Sequence, residues 1–313
     1  MKDILYIVIP CYNEEEVLPI TSKKIKEKIY KLIKSNKINK DSKILLVDDG
    51  SKDNTWNIIE KLCDNDKVFK GIKLSHNKGH QNALLAGMEY SVNHSDLIIS
   101  MDADLQDDIN AIDEMIKEYK KGSEIVYGVR KSRKKDTWFK KNTAEMFYKI
   151  MKLLGVEVVY NHADYRLLSN RALKCLLEYK EVNLFLRGII PEIGLKNSIV
   201  YYDRNERVAG ISKYPLKKMI NFAINGITSF SIKPLKFITT IGLLISFFSF
   251  IIMIYSLIVK FTGHTVEGWT FIIISIWLIG GIQMLFLGII GEYIGKIYSE
   301  TKQRPKYFIE KEK

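Results

Sequence analysis

From residue 4 to residue 130 the chain repeats one pattern: a short, nearly unbroken apolar run, a polar break, then apolar residues at helical spacing. The first run, residues 4–9, is β-prone throughout and reads as a strand buried on both faces that stops at Pro10. Val17, Ile25, Ile29 and Leu32 follow at the helical period and predict a helix ending near Lys34. Residues 44–47 predict a second strand, after which Asn54 and Thr55 are placed to cap a helix running to Cys63. Residues 72–74 predict a short third strand, residues 77–79 a turn, and residues 81–92 a helix. Ile98 and Ile99 open a fourth strand that runs into Asp102, and residues 124–130 predict a fifth. Strand, loop and helix in alternation predict an α/β sheet with helices on both faces, whose ligands gather outside the carboxyl ends of the strands.

After Lys236 the pattern changes. Residues 237–259 and 269–290 are two uncharged apolar runs of about 22 residues, each long enough for a bilayer core of roughly 30 Å. Their length and lack of a polar face argue against buried core helices. Lys233 and Lys236 precede the first run, Lys296, Lys302, Arg304 and Lys306 follow the second, and the intervening loop is poor in positive charge. The positive-inside bias therefore predicts a two-span plasma-membrane hairpin with both termini in the cytoplasm. Lysines alternate with apolar residues over 214–226, which predicts an interfacial helix on anionic lipid. The expected organisation is a cytoplasmic α/β domain over 1–213, an interfacial region over 214–236, the hairpin over 237–291 and a cytoplasmic tail over 292–313.

Polar residues cluster where the predicted strands end. Tyr12, Asn13 and Glu14 leave the first, Asp48 and Asp49 the second, and Asp102, Asp104 and Gln106 the fourth. Taken singly, each is ordinary turn chemistry. On an extended chain Asp102 and Asp104 point to one face, where like charges repel unless a cation lies between them. Mg²⁺ or Mn²⁺ suits that need, because such ions take oxygen ligands, often one or two carboxylates plus substrate phosphates. A calcium loop of the EF-hand type fits less well, since Asp107 stands where that turn requires glycine. Arg130 closes a strand at the same edge and is placed to hold a phosphate, while residues 131–135 read as a solvated basic face. Asp164, Tyr165 and Arg166 precede an apolar helical stretch and read by themselves as an N-cap. Arg204, Arg207 and Lys213 surround a glycine and a serine in a basic loop suited to an anion that comes and goes.

Composition narrows the partners. A net charge of +12 in 313 residues suggests an anionic partner: nucleic acid, an acidic membrane surface or a phosphorylated substrate. The apolar runs favour the last two, and no basic stripe with interleaved aromatics supports nucleic acid. Mean hydropathy near zero averages two unlike parts. No cleavable signal peptide is expected at the start. Cys11, Cys63 and Cys175 are odd in number and lack metal-ligand spacing, which fits a reducing compartment. No Gly-x-Gly-x-x-Gly follows the first strand and no P-loop motif occurs, so dinucleotide and P-loop chemistry are disfavoured.

Pro10-Cys11-Tyr12-Asn13-Glu14, Val47-Asp48-Asp49-Gly50-Ser51 and Met101-Asp102-Ala103-Asp104-Leu105-Gln106, in this order, resemble family 2 of the nucleotide-sugar glycosyltransferases, with the GT-A, Rossmann-like fold. The segment from Arg204 to Lys213 resembles that of polyprenyl-phosphate glycosyltransferases such as dolichyl-phosphate mannose synthase, and Glu292–Lys296 extends the likeness to the C-terminus. The resemblance implies that Pro10, Tyr12, Glu14 and Asp48 line the nucleobase and ribose pocket. It implies that Asp102, Ala103, Asp104 and Gln106 face the pyrophosphate, with Asp102, Asp104 and Gln106 at the metal. By the same likeness Arg130, Arg207 and Lys213 reach nucleotide or lipid phosphates, and Asp164 is the acceptor-side base or orienter.

The activity so implied is inverting transfer of a hexose from a nucleotide sugar, a UDP-sugar such as UDP-glucose or UDP-GlcNAc, to undecaprenyl or another polyprenyl phosphate. The lipid-linked monosaccharide would serve cell-envelope glycosylation. A flippase and a second copy of the chain are candidate partners, the latter through Gly280, Gly281 and Gly288. Two rivals remain. A processive polysaccharide synthase is opposed by only two spans and no Gln-x-x-Arg-Trp segment; a catalytically silent membrane scaffold is opposed by the intact acidic motifs.

Overall fold

The computed structural model describes residues 2–131, 162–182, 185–203, 231–262 and 268–313. Among the described residues the alternating pattern folds into an eight-stranded sheet, ordered β7-β5-β6-β4-β1-β2-β3-β8. The first half supplies β1 (Leu5–Cys11), α1 (Leu18–Lys34), β2 (Lys43–Asp48), α2 (Thr55–Asn65), β3 (Phe69–Leu74), α3 (His80–Ser91), β4 (Leu97–Ser100), α4 (Ala111–Lys120) and β5 (Ile125–Arg130). The second half supplies β6 (His162–Ser169), α5 (Asn170–Leu177), α6 (Leu186–Glu192), β7 (Asn197–Tyr202), α7 (Lys233–Phe261), α8 (Trp269–Lys302) and β8 (Ile309–Glu312).

β1 lies between β2 and β4 and is parallel to both, so it is buried on either face. Leu5, Ile7 and Ile9 pack with Ile25, Ile29, Trp56 and Met115 on one side of the sheet. Tyr6 and Val8 pack with Leu84, Met88, Leu173 and Ile189 on the other. Gly87 lets α3 approach this second face, since a Cβ there would come within 2.3 Å of Val8. The strand continues through Pro10 to Cys11, one turn of expectation further than the proline suggested. The carbonyl of Val8 accepts from the amide of Met101, so residues 8 and 10 face β4, which ends at Ser100 opposite Val8. No ladder partner therefore needs the amide that Pro10 lacks.

Three expectations are corrected. Asp164, Tyr165 and Arg166 do not cap a helix; they lie inside β6, which is antiparallel to both β4 and β5 and makes the sheet mixed. Tyr165, Arg166, Leu167 and Leu168 are all buried there, because a central strand has no solvent face. The cap comes at Ser169, whose hydroxyl accepts from the amide of Ala172 at 3.0 Å. Asn54 does precede α2 but its side chain makes no capping hydrogen bond; Asp53 accepts from the amide of Thr55 instead, at 3.0 Å.

The third correction concerns the C-terminal segment, expected to be a tail. α8 runs on past Ile290 to Lys302 and stops where Gln303 adopts a left-handed conformation (φ 46°), two residues before Pro305. The chain then returns to the sheet, and β8 pairs antiparallel with β3. Paired edges of this kind remove a row of open backbone groups. α7 and α8 are both long and apolar enough to cross a membrane, and their large apolar side chains, Phe247 and Leu285 among them, are exposed. Of the expected interfacial region, residues 214–230 lie outside the described residues, and Lys233 and Lys236 belong to the first turn of α7.

Candidate active site

The loops at the carboxyl edge of β1, β2, β3 and β4 are tied to one another by backbone-to-side-chain bonds. Asn13, with φ at 52°, donates its amide to Ser51 and accepts from the amide of Lys52; Glu14 donates to Thr55 Oγ1 at 2.9 Å. The Asp49 carboxylate accepts the amides of Lys78 and Gly79 at 2.7 and 2.9 Å, joining the second loop to the third. Gly50 permits this closeness: its φ is +65°, and a Cβ would lie 2.6 Å from the backbone of His76. Pro10, Tyr12 and Glu14 are half-buried along the resulting wall, beside Asp48.

Asp48 is fully buried at the tip of β2. Its Oδ1 accepts from the amide of Ser51 at 3.2 Å, while Oδ2 has no hydrogen-bond partner among the described residues. Burial pushes this carboxyl up, against the pull of Ser51. A buried acceptor left over in this way is open to a donor that the described residues do not supply.

The acidic motif does not continue β4 as an extended strand, and Asp102 and Asp104 do not share a strand face. The strand ends at Ser100, and a turn follows in which Leu105 takes a left-handed φ of 56°. Asp102 is half-buried, its side chain 39% exposed, while Asp104 is buried and accepts the amide of Gln106. The carbonyl of Ala103 accepts from Thr21 Oγ1 at 2.6 Å, which anchors the turn on α1. Gln106 is half-buried at its end. Burial raises the Asp102 carboxyl; His80 opposes this, Asp164 and Asp104 add to it by repulsion, and Arg187 again opposes.

That surplus of negative charge is what a divalent cation relieves. Two carboxylates are too few to hold such an ion unaided, and among the described residues no group of three or more His, Cys, Asp or Glu side chains is arranged for one. The donor set fits a hard ion whose remaining ligands are phosphate oxygens.

Arg130 ends β5 beside the same turn. Its Nε donates to the hydroxyl of Tyr202 at 3.3 Å, its Nη2 lies 3.7 Å from Asp107, and the Tyr202 hydroxyl in turn bonds the Asp107 carboxylate. Burial, reinforced by repulsion from Asp102, pushes Asp107 up to about 6, with Arg130 opposing. Asp164 stands on β6 across from β4, its carbonyl accepting from Ser100 Oγ at 2.6 Å. Burial works to raise its carboxyl, but Arg187 and Arg166 outweigh burial and hold it well below the usual carboxylate range.

The sheet thus brings Pro10, Tyr12, Glu14, Asp48, Asp102, Ala103, Asp104, Gln106, Arg130 and Asp164 to one edge. Arg207, Lys213 and the rest of the basic loop lie outside the described residues, as do residues 132–135. The structure adds three side chains that the linear pattern did not single out. His80, the first residue of α3, places Nε2 3.1 Å from Asp102 Oδ1; its position just after the third strand's turn was the available signal. Arg187 and Tyr202 carried no such signal, because only tertiary packing sets α6 and β7 beside β5 and β6.

A sequence profile described as "Glycosyl transferase family 2" matches residues 6–177. A protein of Bacillus subtilis (strain 168) named "Uncharacterized glycosyltransferase YkoT" is 54% identical over 99% of this chain and 92% of its own length. The "Prophage bactoprenol glucosyl transferase homolog" of Escherichia coli (strain K12) is 39% identical over 98% of each chain. The "Bactoprenol glucosyl transferase" of Shigella phage SfV is 38% identical, again over 98% of each. Among solved structures, a mannosyltransferase from Pyrobaculum calidifontis in complex with GDP-Man and Mn²⁺ shares the fold, with a TM-score of 0.51 at 13% identity, covering 75% of this chain and 65% of that one.

Proposed function

Because this chain belongs to glycosyl transferase family 2 and is a glycosyltransferase with a GT-A-like α/β fold, we propose that it moves a glucosyl group from UDP-glucose to a polyprenyl phosphate, with inversion. The observation that carries the proposal is the meeting, at one sheet edge, of the Asp48 oxygen that has no partner among the described residues and the crowded acidic turn at Asp102 and Asp104. The first suits a nucleobase or ribose donor group, with Pro10, Tyr12 and Glu14 around it. The second suits a diphosphate and its cation. Relatives named bactoprenol glucosyl transferases align over nearly the whole chain, α7 and α8 included, which supports glucose as the sugar and a lipid carrier as the acceptor.

In the proposed reaction an acceptor phosphate oxygen forms a bond to the anomeric carbon from the face opposite the leaving group. The bond from that carbon to the diphosphate oxygen breaks, and its electron pair departs with UDP. A phosphate monoester has a second pKa near ~6, so at neutral pH the acceptor is already mostly dianionic and no proton has to be removed. Asp164 then orients the acceptor side. Arg130 offers a guanidinium to the donor diphosphate, the Ala103 backbone lines it, and Arg207 and Lys213 are proposed as further phosphate contacts. Mg²⁺ or Mn²⁺, held by Asp102, Asp104 and Gln106, would neutralise charge on the departing diphosphate.

We place α7 and α8 across the plasma membrane, with the sheet and both termini on the cytoplasmic side, where the lipid-linked glucose can pass to a flippase. The test is a donor screen with purified full-length protein, Mg²⁺ or Mn²⁺ and a short polyprenyl phosphate. UDP-glucose should give a lipid-linked monosaccharide, with UDP released only when the lipid phosphate is present. A long polymer as product would point instead to a processive synthase, and no turnover with any donor to a scaffold.

A further inference from the structure

We propose, resting on the lipid-phosphate acceptor above, that the first turn of α3 sets the spacing of the two substrates: His80 is a positioning residue for the donor side and its neighbour Gln81 one for the acceptor side. Successive residues of a helix point roughly 100° apart, so two adjacent side chains at a helix start can reach two different walls. His80 reaches the acidic turn, with Nε2 3.1 Å from Asp102 Oδ1. Gln81 reaches the start of α6, where its Oε1 accepts the amide of Leu186 at 3.0 Å.

Leu186 leads directly to the acceptor side. Its carbonyl accepts from Arg166 Nη1 at 3.5 Å, and the next residue, Arg187, meets the Asp164 carboxylate at two points, Nε to Oδ1 at 3.2 Å and Nη2 to Oδ2 at 2.9 Å. Arg166 Nη2 donates to the same carboxylate. β6 fixes the backbone of Asp164 beside β4, but the direction of its carboxylate follows these arginines, and Arg187 belongs to a helix whose start is tied to α3 by Gln81. Leu186 is buried, so its amide has little water to turn to if Gln81 is lost.

The turn that carries both side chains is itself held. Asp49 accepts the amides of Lys78 and Gly79, and Asn82 Nδ2 donates to the carbonyl of Lys78 at 2.9 Å. Further along, the close approach of Gly87 to Val8 seats the helix on the sheet. The chemistry asks for such a fixed span. Asp102 and Asp164 are near enough to repel each other, while transfer needs the acceptor oxygen roughly 3–3.5 Å from the anomeric carbon. A misplacement of about 1 Å costs about 100-fold in rate.

The experiment compares Gln81→Leu, Gln81→Asn, Gln81→Glu, His80→Ala and His80→Gln in full-length protein. It reads kcat/KM for a short polyprenyl phosphate at saturating UDP-glucose, and binding of UDP with Mn²⁺. Gln81→Leu should lower the acceptor kcat/KM roughly 10- to 100-fold, with UDP binding changed less than about threefold. Gln81→Glu still offers an oxygen to the Leu186 amide and should recover most of that loss; Gln81→Asn, shorter by a methylene, should not. His80→Ala should act on the other side and weaken UDP binding roughly 10-fold. His80→Gln, whose amide can donate to Asp102, should recover part of it. If Gln81→Leu fails to fold in thermal melts, the contrast between Gln81→Asn and Gln81→Glu decides. Equal losses on both sides from either residue, or a Gln81→Glu variant as poor as Gln81→Asn, overturns the proposal. Absence of transfer by the unaltered protein would instead overturn the function on which it rests.

Discussion

Asp102 accepts from, or shares a proton with, His80 across 3.1 Å, while Asp104, two residues on, spends one oxygen on the amide of Gln106. The two acids of the motif are thus unequal, one half-buried and one built into its own turn. Both are nonetheless expected to be indispensable. Asp102→Ala and Asp104→Ala should abolish transfer, whereas Asp164→Asn should leave measurable turnover, because an amide can still accept from the two arginines. Steady-state assays on the three variants check this, and equal, complete loss in all three would contradict the division of roles.

Removal of divalent ions is expected to stop turnover. With two carboxylates as its protein anchor, the ion depends on the donor's phosphates for the rest of its ligands. Chelation should therefore weaken UDP binding as well as transfer, and added Mg²⁺ or Mn²⁺ should restore both. Turnover that survives a chelator would remove the cation from the mechanism.

Gly50→Ala should lower stability by about 1–3 kcal/mol, since φ is +65° and the new methyl would meet the His76 backbone at 2.6 Å. Because Asp48 and Asp49 flank this turn, the donor KM should rise more than the acceptor KM. Thermal unfolding and two KM measurements test it.

Lys28, only 8% exposed, is held by Asp113 of α4, which also bonds Lys37 at 2.6 Å. Burial works to raise Asp113, but Lys28 and Lys37 outweigh it and keep the folded-state value below the ordinary one. The pair therefore stabilises the fold above the unfolded-state pKa of about 3.9 and loses that contribution as pH falls through the lower, folded value. Asp113→Asn should cost about 1–3 kcal/mol near neutrality, by leaving Lys28 buried without its charge partner. The difference from the unaltered protein should shrink as melts are run at pH values falling below the unfolded-state pKa and through the lower, folded one.

Truncation after Lys306 should destabilise the sheet and promote self-association. It removes β8, the Tyr307 bond to Glu89, the Tyr90 bond to Glu312 and the Lys313 pair with Asp64, and it opens the edge of β3. Light scattering and a fall in Tm are the measurements, and an unchanged Tm would mean that the last strand contributes nothing.

The alternating α/β order, the two apolar helices and the acidic crevice were legible in the linear chain because they rest on local facts: run length, period and turn residues. Strand six was not, since Asp164-Tyr165-Arg166 carries the polarity of a cap and becomes a strand only because β4 and β5 offer it two open edges. Nor could local pattern show that residues after α8 return to pair with β3, since that contact joins positions far apart in sequence.

What the sequence by itself determined is the set of chemical groups and the strand ends that deliver most of them, together with two stretches too apolar for water. What only the tertiary structure decided is which groups face one another: Arg187 against Asp164, His80 against Asp102, Tyr202 against Asp107. Hydrophobic period depends on neighbours along the chain and can be read there. Charge pairing depends on distance in space, and packing alone sets that distance.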